Sequence, residues 1–175
     1  IPDGIISIDG RAFYGCSKLK KLIIPDSVTS IGWAAFQNCL ELTEITLSKN
    51  ITVIEQFTFE RCDNLKNIDI PNGVIAIERY AFARCPGLES VNIPNTVTSI
   101  GEGAFVHCKS LADVTIPNSV RELGGAAFAS CTGLTKISIS EDITKIGEET
   151  FLNCRGLVNV IIPEKATAIG NRAFA

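Results

Sequence analysis

The sequence predicts a β-rich α/β solenoid, a right-handed stack of 23-residue coils with parallel strands and short helical or 3-10 turns. Three observations predict it. The seven cysteines, Cys16, Cys39, Cys62, Cys85, Cys108, Cys131 and Cys154, lie 23 residues apart. Eight phenylalanines keep the same interval, from Phe13 through Phe36, Phe59, Phe82, Phe105, Phe128 and Phe151 to Phe174. Between these markers the polar positions vary from unit to unit while the apolar ones hardly change. A strict period in this range marks one short unit stacked on its neighbours, and the invariance of the apolar set marks a packing constraint.

Units begin at Ile1, Ile24, Leu47, Ile70, Ile93, Ile116, Ile139 and Ile162, with no insertion or deletion across seven full units and a partial eighth. Proline follows directly at Pro25, Pro71, Pro94, Pro117 and Pro163, and in the first four of these Asp or Asn and a small residue come next. Proline lacks the N–H that a ladder needs, so this segment reads as a turn. A short extended piece such as Val28-Thr29-Ser30-Ile31 follows, with period two. The GxxAFxxC stretch is too short for a stable helix and is expected to make a single helical or 3-10 turn. A β-branched, alternating segment such as Leu42-Thr43-Glu44-Ile45-Thr46-Leu47 closes the unit as a half-buried strand. Stacked coils would place parallel strands about 4.8 Å apart and bury unit positions 1, 5, 8, 19 and 22 with the Ala, Phe and Cys columns.

Composition bounds the function. Apolar residues make up 46% of the chain, enough for a core and too many for a disordered segment. The net charge of −3 is spread over both signs with no basic run, which argues against a nucleic-acid surface. No stretch approaches the length of a membrane span. The unbroken period argues for one domain over residues 1–175. A chain with no Met and a last unit cut at Arg172-Ala173-Phe174-Ala175 reads as part of something longer, and its uncapped ends predict end-to-end self-association.

LxxLxIP followed by VxxIGxxAFxxCxxL, recurring seven times, resembles the BspA-like, Treponema-type class of leucine-rich repeats. The resemblance implies a leucine-rich-repeat horseshoe used for adhesion or protein recognition at the cell surface or in secreted form. Ser48 and Ser140 stand where the pattern has Pro, and Asp9, Glu55 and Glu78 where it has Gly. Acidic residues there make a required positive φ less necessary.

The cysteine column has three readings. Buried structural thiols are favoured, because free Cys is among the most buried residue types. Disulfides between coils suit the odd count and parallel side chains poorly, and a straight ladder diverges from the tetrahedron that zinc wants. His107 precedes Cys108 and should point outward if Cys108 points in, so a Cys–His nucleophile pair has no support. No phosphate loop, zinc motif or nucleophile elbow occurs, and neither an enzyme nor a cofactor is expected.

Candidate binding residues come from the outward side of the first strand. Position 21 carries Lys21, Glu44, Asn67, Ser90, Asp113, Lys136 and Asn159; position 23 carries Ile23, Thr46, Asp69, Asn92, Thr115, Ser138 and Ile161. The ligand-binding set is Glu44, Thr46, Asn67, Asp69, Ser90, Asn92, Asp113, Thr115, Lys136 and Ser138, on the face that the resemblance makes concave. It is read either as a polar recognition surface for an extracellular protein or glycan, or as solvated strand residues that keep the sheet soluble. Trp33, Phe57 and Tyr80 fall at positions 10, 11 and 11 of consecutive units, as an aromatic interaction patch or as packing between turns. Asn50-Ile51-Thr52 is an N-x-S/T sequon in the turn after the strand. The function expected is a non-enzymatic recognition module. The alternatives are an inert spacer and a carbohydrate-binding accessory domain of a secreted enzyme.

Overall fold

The structure, a computed structural model, describes residues 1–175 and contains two ladders of short parallel strands, each hydrogen-bonded in groups of two to four strands and not continuously. The first comprises Lys21–Ile23, Glu44–Thr46, Asn67–Asp69, Ser90–Asn92, Asp113–Thr115, Lys136–Ser138 and Asn159–Val160. The second comprises Ser7–Ile8, Ser30–Ile31, Val53–Ile54, Ala76–Ile77, Ser99–Ile100, Glu122–Leu123, Lys145–Ile146 and Ala168–Ile169. Register advances by one unit per coil: Lys21 faces Glu44, Asp113 faces Lys136, and Ile54 faces Ile77. The 23-residue period is therefore a register, and each side chain stacks on its own counterpart in the next coil.

The turn from one ladder to the other departs from the sequence expectation. No helical or 3-10 segment forms at GxxAFxxC. Backbone N–H groups there alternate between two destinations. Those of Ala34, Phe36 and Asn38 bond carbonyls of the next coil, Gln56, Thr58 and Glu60, at 2.9 Å. Those of Ala35, Gln37 and Cys39 bond three residues back, to Gly32, Ala34 and Phe36, at 3.2 Å. A helix would spend every N–H on its own chain; here every second one ties neighbouring coils together. The alternation requires left-handed backbone at unit position 11 in every coil (Arg11, Ala34, Phe57, Tyr80, Gly103, Ala126, Glu149, Arg172). Position 15 needs it too, from Gly15 and Asn38 through Arg61, Arg84, His107 and Ser130 to Asn153. Such a conformation costs a non-glycine residue about 1–2 kcal/mol, and the inter-coil bonds offset it.

Glycine at unit position 9 serves a different purpose. None of these glycines has positive φ. A Cβ on Gly124 would lie 2.4 Å from the Glu102 backbone nitrogen of the preceding coil, so in this coil close approach of backbones selects glycine, while Glu55 and Glu78 fill the same position in other coils.

The interior is one continuous cluster of 45 buried residues. Its spine is a stack of all eight column phenylalanines, with ring centroids 5.2–5.8 Å apart and planes within 16°. Phe36, Phe59, Phe82, Phe105 and Phe128 are fully buried. Beside them run the cysteines, six buried and Cys16 exposed. Each buried thiol donates to the carbonyl of the phenylalanine one coil back: Cys85 to Phe59 at 3.0 Å, Cys108 to Phe82 at 3.1 Å, Cys154 to Phe128 at 3.0 Å. The same carbonyl accepts the backbone N–H of its own coil's Cys, as Phe59 does from Cys62 at 3.2 Å. A small apolar side chain with a weak donor suits this corner, and the buried-thiol reading matches the geometry.

Ser48 and Ser140, at positions where other coils carry Pro, are fully buried. Ser140 Oγ donates to the Val120 carbonyl of the preceding coil at 2.7 Å and accepts the Asp142 N–H at 3.2 Å. Ser48 makes the same pair of bonds, to Val28 and from Asn50. Where proline stiffens the turn in other coils, serine ties it to its neighbour.

Candidate functional site

Alternation along the first ladder sends Ile45, Ile68, Val114 and Ile137 into the core and leaves both flanking residues outside. Glu44, Thr46, Asn67, Asp69, Ser90, Asn92, Asp113, Thr115, Lys136 and Ser138 are all exposed, and parallel register arranges them in two columns. At one end Lys21 pairs with Glu44 at 2.6 Å. In the middle Ser90 Oγ donates to Asn67 Oδ1 at 2.7 Å. A groove of about 590 Å3 crosses this middle stretch, and Asn67, Asp69, Ser90, Asn92, Asp113 and Thr115 line it. Amides from the following turn, Asn72 and Asn95, complete its wall. Lys136, Ser138, Glu44 and Thr46 lie on the same face outside the groove. The groove presents hydrogen-bonding groups and two carboxylates with no cation among its lining residues.

The three aromatic residues divide into two groups. Phe57 and Tyr80 stack with centroids 5.5 Å apart, both half-buried, under the Arg79 guanidinium at 6.0 and 5.3 Å. Tyr80 lies against Gly103 and its hydroxyl donates to Glu102 Oε1 at 2.7 Å. That hydrogen bond, with partial burial, raises the phenol above its ordinary pKa. Trp33 is exposed and leans toward the first coil, over Gly10, with Arg11 at 5.7 Å. Asn50 of the sequon is exposed, and its side-chain amide donates to the Asp26 carbonyl at 2.6 Å.

Two features escaped the sequence reading. A second groove of about 600 Å3 runs along the second ladder, walled by Arg121, Glu122, Lys145 and Glu148 over the glycine column. A corner cleft also gathers Arg84, His107 and Lys109 beside Phe57 and Tyr80. Burial, then the charges of Arg84 and Lys109, lowers the His107 pKa below its usual value. The signal was present in the sequence, since position 15 holds Arg61, Arg84 and His107 in consecutive units. Read beside Cys108 alone, His107 gives no hint of that column.

The family profile described as BspA type leucine-rich repeat region matches residues 1–98 and 75–175, in six copies. Among solved structures, the chain is similar to the T. pallidum leucine-rich repeat protein TpLRR, at 31% identity and a TM-score of 0.69, covering 97% of this chain and 69% of that one. It is also similar to a leucine-rich repeat protein from Bacteroides ovatus, at 27% identity and a TM-score of 0.73, covering all of this chain and 57% of that one. The pneumococcal vaccine antigen PcpA shares the fold at 20% identity and a TM-score of 0.62, over 95% of this chain and 50% of its own. No curated protein matches the sequence.

Proposed function

This chain belongs to the BspA-type leucine-rich repeat family, and from that premise we propose that it is a non-enzymatic recognition module, displayed at the cell surface or secreted, that binds an extracellular protein or glycan through the outer face of its first ladder. The observation that carries the reading is the groove of about 590 Å3 at the centre of that face, lined by six of the ten residues expected to bind. Its walls stand on short strands stacked over a continuous core, with Asn67–Asp69 hydrogen-bonded to Ser90–Asn92, so the backbone that carries the polar groups is in place before a ligand arrives. Preorganisation of this kind lowers the ordering cost of binding.

The test is binding of the chain to an immobilised panel of extracellular-matrix proteins and glycans, beside a folded variant with Glu44→Lys, Asp69→Lys and Asp113→Lys. Saturable binding that the variant loses is the expected result. Binding that the variant keeps in full would remove the first-ladder face as the site, and silence across the panel would favour a spacer.

A further inference from the structure

The corner where each coil turns back carries a second surface, away from the first-ladder face. Two recesses of about 260 and 280 Å3 adjoin there and share Arg84 and His107. Phe57 and Tyr80 wall the first; Asp63 and Lys109 rim the second. Unit position 15 supplies Arg61, Arg84 and His107 from three consecutive coils, each with left-handed backbone at φ 58°, 56° and 63°. The corner is rigid because its N–H groups are bonded between coils: Arg61 to Ala83, Arg84 to Val106, His107 to Ala129. The three side chains therefore leave a fixed frame, one coil apart.

The charges there are largely unanswered. Arg61, Arg79 and Lys109 form no salt bridge. Glu60 is nine-tenths buried and is held by Gln37 and by Arg84, the latter at 3.2 Å, while Glu102 accepts the Tyr80 hydroxyl. Asp63 is the one carboxylate left on the rim of the second recess. On a chain of net charge −3, this corner sets four cations, Arg61, Arg79, Arg84 and Lys109, against three carboxylates, Glu60, Asp63 and Glu102.

We propose that this corner binds an acidic polysaccharide, with Arg61, Arg84, His107 and Lys109 contacting its sulfate or carboxylate groups and Phe57 and Tyr80 flanking a sugar ring. Guanidinium groups match such oxyanions in bidentate geometry. Spacing favours a glycan over an acidic peptide. The phenylalanine spine places coils here 5.2–5.3 Å apart, and a linear polysaccharide advances one sugar per step of similar length. An extended peptide advances about 3.3 Å per residue, out of step with the coils.

The experiment is calorimetric titration of the chain with a size-defined heparin oligosaccharide, a neutral dextran of matched length and a polyglutamate peptide, at two salt concentrations. Heparin binding that weakens with salt, with no binding of dextran, is expected. Arg61→Asn combined with Lys109→Gln removes two cations that hold no ion pair, and Asn already occupies the Arg61 column at Asn38 and Asn153. This double variant should bind heparin roughly tenfold more weakly. Asp63→Asn should bind it several-fold more tightly, and Lys49→Gln, in the turn after the first ladder and part of neither surface, should leave it unchanged. The proposal is overturned if heparin does not bind, if dextran binds equally, or if the double variant keeps full affinity. Polyglutamate binding as tight as heparin would overturn the glycan class in favour of an acidic peptide.

Discussion

Six thiols sealed in the core should make the stability of this solenoid fall steeply in mild alkali. In an unfolded chain a cysteine titrates near pH 8.5. In the fold, burial pushes Cys85 up to about 12 and Cys39 and Cys154 up to about 11. It raises Cys62, Cys108 and Cys131 in the same direction. With folded values above the unfolded one, the stabilisation is complete below about pH 8.5 and is lost as pH climbs toward the folded values. Above that point the unfolded chain has released protons that the native chain retains. Each thiol then lowers stability by somewhat over 1 kcal/mol per pH unit, and six together by roughly 8. One unit above the unfolded value, near pH 9.5, the loss rivals the whole stability of a typical domain, about 5–15 kcal/mol.

Urea unfolding under reducing conditions, followed by circular dichroism at neutral pH and near pH 9.5, reads this directly. The midpoint should collapse at the higher pH, and Cys85→Ala with Cys108→Ala should shrink the pH dependence by about a third. Thiol labelling near pH 8 gives a separate check: exposed Cys16 should react at once and the other six only on unfolding. An unfolding midpoint that does not move with pH would refute the reasoning. So would rapid labelling of several thiols in the native protein.

The phenylalanine spine makes a graded prediction. Phe105→Ala removes a fully buried ring with stacked neighbours at 5.2 Å on both sides and should cost about 3–5 kcal/mol. Phe174→Ala, partly exposed with one stacked neighbour, should cost less than half of that in the same denaturation assay. Ser140→Ala leaves the Val120 carbonyl and the Asp142 N–H without the hydroxyl that joins them and should cost about 1–3 kcal/mol by urea unfolding.

The strands, the core columns and the polar face were legible because parallel stacking turns sequence period into spatial register. Leu42, Leu65, Leu88, Leu111 and Leu134 recur one unit apart and all are buried. Asn67, Ser90 and Asp113 recur the same way and all stay outside. The groove across them was not legible, because its wall also needs Asn72 and Asn95 from the turn beyond the strand. The aromatic group was half legible. Shared unit position brought Phe57 and Tyr80 into contact, whereas Trp33, one position earlier, faces the first coil instead.

What the sequence determined by itself is the repeat: which residues stack, which are buried, and which form columns. In a solenoid every contact is with the next coil, so the period alone specifies the neighbours. The corner was decided only by the tertiary structure. Nothing local in Phe57, Arg61, Tyr80 or Arg84 favours left-handed backbone, yet all four adopt it. Their N–H groups bond Arg79, Ala83, Glu102 and Val106, each 22 residues on in the adjacent coil. Propensity sees only nearest neighbours along the chain, and these partners exist only once coils are stacked. The same bonds that replace the expected helical turn hold the cations of the corner at one-coil spacing.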